Sequence, residues 1–202
     1  MRRIWAQVII FLLASMLLPA LSADSLEELL EVSFKDNGQA TVERLIQDEI
    51  QKLCSIPRAK RVDDQVLEER RKIHLDEAVF PENRQFLGDW KQGEKVARNG
   101  RGLQSSDDKN KPNGGNCYAC HQLDPEELAY GTLGPSLTNY GARGQSEPLL
   151  RYTWIKLWDT HAYNTCSHMP RFGAQGILSE QQLKDVMSYL LDPDSPVNAS
   201  VQ

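Results

Sequence analysis

The sequence lacks the patterns that would build a β-sheet, a zinc finger or a membrane domain. No run of alternating apolar and polar residues reaches strand length, and no internal repeat occurs. There is a single Cys-x-x-Cys and no His-x-x-x-His, whereas a structural zinc site needs four ligands at recurring spacing. After residue 23, no apolar run approaches the about 20 residues of a membrane-spanning helix. We therefore expect an all-α fold and a soluble mature protein.

The N-terminus has the order of a secretory signal peptide. Arg2 and Arg3 precede an apolar run from Val8 to Leu18, and small residues allow cleavage after Ser22 or Ala23. The run is short for a membrane span, although an uncleaved N-terminal anchor is the alternative. We expect residues 1–23 to be removed and the mature protein to be periplasmic.

The charge of the chain is acidic, which makes nucleic acid and anionic membranes poor partners. The formal net charge is −5, and loss of Arg2 and Arg3 with the signal would make it more negative by two. The densely charged segment 57–72 mixes both signs around a thin apolar stripe. This pattern predicts a solvated helix on the domain surface.

Apolar residues at helical spacing divide the mature chain into a helical extension at 24–80, a main domain at 81–192 and a tail at 193–202. In the extension they predict one helix from residue 26 and a second over 42–54, with Thr41 as its N-cap. In the main domain they predict two helices at 83–99 and 125–129. A third helix would be capped by Ser146, and the last would start at a Ser179–Gln182 capping box.

Cys117-Tyr118-Ala119-Cys120-His121 is a c-type haem attachment motif. Each thiol adds to one vinyl group of the porphyrin, and the spacing places His121 beneath the iron as an axial ligand. The second ring nitrogen of His121 then needs a hydrogen-bond partner to fix the tautomer. A thioredoxin-like redox pair would need an α/β pattern, which is absent. The motif predicts one covalently bound haem c.

Four residues compete for the sixth iron position: His161, Cys166, His168 and Met169. Met169 is favoured because it sits in a polar, turn-rich stretch, where core packing is a weaker explanation for methionine. Thioether ligation also raises the potential relative to two histidines. His168 and His161 remain alternatives.

Other residues are candidates for contact with the haem edge. Arg171 could pair with a haem propionate. The aromatic candidates are Tyr140, Tyr152, Trp154 and Trp158.

Three segments, Gly115–His121, Gly131–Thr138 and Met169–Gly173, occur in the order found in SoxX, the small cytochrome subunit of the SoxAX sulfur-oxidation complex. The chain resembles that family over residues 82–191 and more loosely over 24–80. The resemblance implies a class I cytochrome c domain with His121 and Met169 as ligands. In such domains a carbonyl of the Gly-Pro-x-Leu turn, here that of Pro135, accepts a hydrogen bond from the proximal histidine.

The resemblance also implies a function and partners. SoxAX, an L-cysteine S-thiosulfotransferase, joins thiosulfate to a cysteine of the carrier SoxYZ and releases two electrons. A SoxA-like partner subunit holds the reactive haem, and this chain would pass electrons to a downstream cytochrome c or other acceptor. It would be half of an enzyme, with no catalytic residue of its own. The alternative is a free-standing periplasmic electron shuttle.

Cys54 and Cys166 lie outside the haem motif. An even remainder of cysteines in an oxidising compartment permits a disulfide, although sequence alone does not give the pairing. A Cys54–Cys166 bond would tie the extension to the loop that precedes Met169. Two free thiols are the other possibility.

Overall fold

The computed structural model describes residues 23–56 and 63–199. Residues 1–22 of the predicted signal peptide, residues 57–62 of the charged segment and the end of the tail lie outside these ranges. Apart from isolated bridge residues at positions 37 and 40, the regular structure of the described residues is helical, which confirms the all-α prediction. None of these described helices has the length and apolar character that a membrane crossing requires.

The described residues contain six α-helices joined by short 3-10 helices. The α-helices are α1 (Ala23–Ser33), α2 (Glu49–Ser55), α3 (Asp64–Asp76), α4 (Trp90–Arg98), α5 (Glu147–Trp158) and α6 (Glu180–Leu191). The 3-10 helices are Val42–Leu45, Glu82–Arg84, Cys117–Ala119, Tyr140–Arg143, Thr160–Ala162 and Pro196–Asn198.

The chain forms two compact units. In the smaller one, residues 23–37 and 41–46 are described, and they hold α1 and the first 3-10 helix. There the carboxylate of Asp36 accepts the backbone N–H of Val42 at 2.7 Å. The larger unit contains α2 to α6 and all the predicted haem-site residues.

The prediction of one continuous helix over 42–54 was wrong. Thr41 makes no side-chain capping bond, and only a 3-10 helix follows it. Asp48 begins α2 with a capping box: its carboxylate accepts the N–H of Gln51, whose side-chain oxygen accepts the N–H of Asp48, both at 2.9 Å. A cap residue has an extended backbone, so Asp48 interrupts the predicted helix.

Other helix ends also differ from the predicted positions, because side chains hydrogen-bond to the backbone there. The helix predicted from residue 83 begins only at Trp90, because the carboxylate of Asp89 accepts the N–H of Lys91 at 2.8 Å as its cap. The predicted helix at 125–129 is a turn, since Asp124 accepts the N–H of Glu126 at 2.9 Å. The helix after Ser146 forms without a side-chain cap, and the Ser179 capping box is confirmed.

Helices α4 and α6 pack against each other at close range. A Cβ on Gly93 would lie 2.0 Å from the carbonyl oxygen of Asp185, so only glycine allows this approach. Ala97, one turn further along α4, is fully buried. Gly93 weakens α4 as an isolated helix but permits its packing.

Candidate haem-binding site

A cleft of about 760 Å³ brings the predicted ligands together in the larger unit. One wall, the His121 side, is formed by residues 115–143 and carries Cys117, Cys120 and His121. The second wall, the Met169 side, belongs to segment 159–173, in which Met169 and other residues between Thr160 and Phe172 line the cleft. Helices α5 and α6 contribute further lining residues, including Leu157 and Leu190.

The haem motif is wound into one tight turn, which presents both thiols from a short length of chain. The carbonyl oxygen of Cys117 accepts the N–H groups of Cys120 at 3.1 Å and of His121 at 2.9 Å. Desolvation raises the pKa of the Cys117 thiol to about 12. Redox-active Cys-x-x-Cys pairs have the opposite shift, a lowered thiol pKa.

The imidazole of His121 is held by the turn that the resemblance indicated. Its Nδ1 lies 2.7 Å from the carbonyl oxygen of Pro135. Because a carbonyl can only accept, Nδ1 carries the proton of the neutral ring. The lone pair is therefore on Nε2, which is the state that an axial iron ligand needs.

The segment 131–137 lies directly against the haem motif through its backbone. Gly131 and Gly134 donate their N–H groups to the carbonyls of Tyr118 and Cys120, both at 2.8 Å. A Cβ on Gly131 would lie 1.9 Å from the carbonyl oxygen of Ala119. A Cβ on Gly134 would lie 2.1 Å from Cε1 of His121. Both glycines are required for this fit, and the one at 134 leaves the space that the imidazole fills.

Three of the four candidates for the sixth ligand line the cleft, namely Cys166, His168 and Met169. Met169 is partly buried against the hydrophobic core and lines the cleft, and the exposed His168 also lines it. Cys166 is bound in a disulfide. His161 does not line the cleft; it is buried, and its Nε2 lies 3.2 Å from the carbonyl oxygen of Ser167.

The disulfide between Cys54 and Cys166 is present, as the sequence suggested. It joins α2 in the predicted extension to the Met169 side across a sequence separation of 112 residues. Loop-closure entropy for that separation corresponds to about 5 kcal/mol of stabilisation. The bond therefore restrains the segment that precedes Met169.

Polar contacts from α3 add to this restraint. Arg71 donates from Nη1 to the carbonyl oxygen of Ala162 at 3.0 Å. Thr165 donates its hydroxyl to the carbonyl oxygen of Leu67 at 3.1 Å. The surface helix that the charge pattern predicted is thus fastened to the Met169 side along one face.

Arg171 requires a correction. Its guanidinium forms an ion pair with Asp48, the cap residue of α2, and does not line the cleft. Burial raises the pKa of Asp48, but hydrogen bonds from Gln51 and Arg171 outweigh that effect and hold the pKa below its usual value. Since this guanidinium already has a carboxylate partner, it is not a free donor for a haem propionate.

The cations that do line the cleft are Arg143 and Lys156, which sequence reasoning missed. Burial lowers the pKa of Lys156, whose Nζ lies 5.9 Å and 5.1 Å from the ring centroids of Tyr152 and Tyr163. The sequence did contain a signal for this contact: Tyr152 and Lys156 are four residues apart on α5, a spacing that places two side chains on the same face of a helix. Among the described residues, no aspartate or glutamate lines the cleft.

The aromatic candidates fall into two groups. Tyr140 and Tyr152 line the cleft. Trp154 is fully buried and donates its indole N–H to the carbonyl oxygen of Val79 at 2.8 Å. Trp158 packs against Gly173, where a Cβ would lie 2.2 Å from the indole ring. Both tryptophans therefore support the core and do not line the cleft.

The residues of this cleft fit a covalently bound haem. Two cysteine thiols stand beside an imidazole with a fixed tautomer, and a methionine lines the same cleft. The lysine and arginine of the cleft suit the two propionates, because no described carboxylate competes for them there. The volume lies within the range of cofactor pockets.

Comparison with known proteins agrees with this site. The family model described as Cytochrome c matches residues 89–192. An uncharacterized lipoprotein of Aquifex aeolicus (strain VF5) is 35% identical over 155 residues, which cover 75% of this chain and 73% of that protein.

Proposed function

Because the chain belongs to the cytochrome c family, we propose that it is a single-haem electron-transfer protein whose iron is ligated by His121 and Met169. A cytochrome c domain binds haem c covalently, and the haem iron supplies the one-electron chemistry when bound. The observation that carries the proposal is the cleft itself: His121, oriented by the Pro135 carbonyl, lies on one wall and Met169 on the other.

The side chains of the cleft have separate tasks in this proposal. Cys117 and Cys120 would form the two thioether bonds, and Lys156 and Arg143 would pair with the propionates. With both axial positions taken by protein ligands, small molecules have no open coordination site. This favours electron transfer over catalysis, so no residue of this chain is assigned a catalytic role.

The narrower proposal is that this chain is the SoxX-type subunit of a SoxAX complex. Its support is the order of the three sequence segments around Cys117, Pro135 and Met169. Joining thiosulfate to the cysteine thiolate of SoxYZ forms one sulfur–sulfur bond and releases two electrons. A SoxA-like subunit would carry out that step, and this chain would accept the electrons one at a time and pass them to a downstream cytochrome c.

Haem reduction in a reconstituted mixture tests the narrower proposal. The haem-loaded protein is mixed with a SoxA-like subunit and SoxYZ, thiosulfate is added, and the visible spectrum is followed. We expect reduction only in the full mixture. A SoxYZ whose acceptor cysteine is replaced by serine is the matched control and should leave the haem oxidised. No reduction in the full mixture, with fast electron exchange against unrelated cytochromes, would support a free-standing shuttle instead.

The location of the protein is part of the same proposal. The leader at residues 1–23 would direct export to the periplasm, where haem attachment to Cys117 and Cys120 takes place. N-terminal sequencing of the haem-containing protein from a periplasmic extract should begin at Ala23 or Asp24. A start at Met1 would instead indicate an uncleaved anchor.

A further inference from the structure

A second group of metal-binding side chains joins α3 to residues of the Met169 side that do not line the cleft. His74 of α3 meets Asp159 and His161, and one ligand atom of each residue lies within 4.8 Å of the others. Asp159 and His161 are buried, and the side chain of His74 is 14% exposed. None of the three is needed to hold haem.

His161 has a ring nitrogen with no partner. Its Nε2 lies 3.2 Å from the carbonyl oxygen of Ser167, so Nε2 carries the proton and donates it. Nδ1 is then a buried lone pair, and no hydrogen-bond donor reaches it. A buried polar atom without a partner costs about 1–3 kcal/mol, which calls for a ligand or an ordered water at this point.

Asp159 and His74 both lie close to His161. The two oxygens of Asp159 have different tasks: Oδ1 accepts the backbone N–H of His161 at 3.0 Å, and Oδ2 lies 2.8 Å from Nδ1 of His74. The ring of His74 stands edge-on to that of His161, with centroids 5.3 Å apart. Two imidazoles and one carboxylate are a common ligand set for divalent transition metals.

We propose that His74, Asp159 and His161 form a second metal site, which takes one divalent transition-metal ion of the Zn²⁺ type. Nδ1 of His161 is the ligand atom on that residue, and the Ser167 carbonyl orients its ring from the other nitrogen. Water completes the coordination from the partly exposed side of His74. The ion joins α3 to the Met169 side, as the disulfide joins α2.

The geometry requires only small movements. With Zn²⁺ bonds of about 2.1 Å, ligand atoms in a tetrahedral site lie about 3.4 Å apart. Atoms within 4.8 Å reach that separation through side-chain shifts of about 1 Å. The nearby positive charge of Arg171 is paired with Asp48, which reduces its repulsion of a cation.

Metal content distinguishes this site from the haem iron. The haem-loaded full-length protein is stripped with a chelator and dialysed against micromolar Zn²⁺, and bound zinc is counted by elemental analysis alongside iron. We expect one zinc per iron. His74→Gln removes the ligand nitrogen but keeps an N–H donor for Asp159, and it should weaken zinc binding by about tenfold or more.

The matched control is Lys72→Gln, an exposed position on the same helix, which should bind zinc like the parent protein. The melting temperature is the second readout. Zinc should raise it in the parent and in Lys72→Gln, but not in His74→Gln, whose metal-free value should equal that of the parent. Absence of stoichiometric zinc in the parent, or unchanged binding in His74→Gln, would overturn the proposal and leave an ordered water as the partner of His161.

Discussion

The two walls of the haem cleft are held in place by different parts of the chain. The His121 side is fastened through its own backbone, since segment 131–137 bonds directly to the haem motif. The Met169 side is fastened by α2 with its cap residue Asp48 and by α3, which precede the region matched by the cytochrome c family.

This difference between the two walls corresponds to two separate requirements for holding one haem. Covalent attachment and the orientation of His121 require close backbone packing, for which Gly131 and Gly134 are suited. A thioether is a weak ligand, so keeping Met169 near the iron depends on how firmly its loop is held. Helices α2 and α3 supply that restraint with one disulfide and several polar contacts.

The largest expected effect is on the His121 side. Gly134→Ala would place a methyl group 2.1 Å from the imidazole, well inside the van der Waals contact distance of about 3.5 Å. The ring must then leave its bond to the Pro135 carbonyl. We expect most of the covalently bound haem to be lost, measured as haem per protein after purification. The exposed neighbour Thr132→Ala is the control and should load normally.

Loss of the methionine should leave the haem attached but change its sixth position. In Met169→Ala, we expect the reduced protein to bind carbon monoxide and its reduction potential to fall. His168→Ala should retain the properties of the parent. If instead His168→Ala opens the site and Met169→Ala does not, the histidine is the ligand.

Removal of the disulfide should act mainly on stability. The variant with both Cys54→Ser and Cys166→Ser loses the constraint across 112 residues, and we expect the free energy of unfolding to fall by about 2–5 kcal/mol. Haem content should stay unchanged, because the His121 side does not use this bond. Denaturant titration of the haem-loaded protein measures the change, and a loss of haem would contradict the separation of the two walls.

The smallest effect concerns the ion pair of Asp48 and Arg171. The pKa of Asp48 is lowered in the folded protein, so its contribution is present above the ordinary value near 3.8 and is lost as the pH falls through the folded value. Asp48 is partly exposed, which limits the contribution to under about 1 kcal/mol. Asp48→Asn keeps a good helix cap but should flatten this part of the stability–pH profile. If the stability of Asp48→Asn falls at low pH as much as that of the parent, the Asp48–Arg171 ion pair is not the source of that fall.

Local patterns predicted the His121 side well. The haem motif is complete within five residues, and the resemblance to a known family added the Pro135 carbonyl; outside this side, the Ser179 capping box was equally local. Asp48-x-x-Gln51 is also a local capping signal, but the apolar run around it was taken as one helix.

The contacts of α2 and α3 were harder to predict because their partners are distant in sequence. Arg171 was assigned to a propionate since its real partner, Asp48, lies 123 residues away. His74 sits in a charged surface helix, and nothing local indicates that it meets Asp159. Such pairs depend on how the helices pack, which a single sequence does not show.

Carbon monoxide binding to the reduced, haem-loaded Cys54→Ser/Cys166→Ser variant tests most directly whether the link from α2 to the Met169 side keeps Met169 in position to bind the iron. The measurement compares the visible spectrum with and without the gas at neutral pH, with the parent protein as control. Our account predicts that the parent does not bind carbon monoxide, whereas the variant binds it with its haem still attached. A variant that excludes carbon monoxide as fully as the parent would show that Met169 is held without the disulfide and would contradict the account.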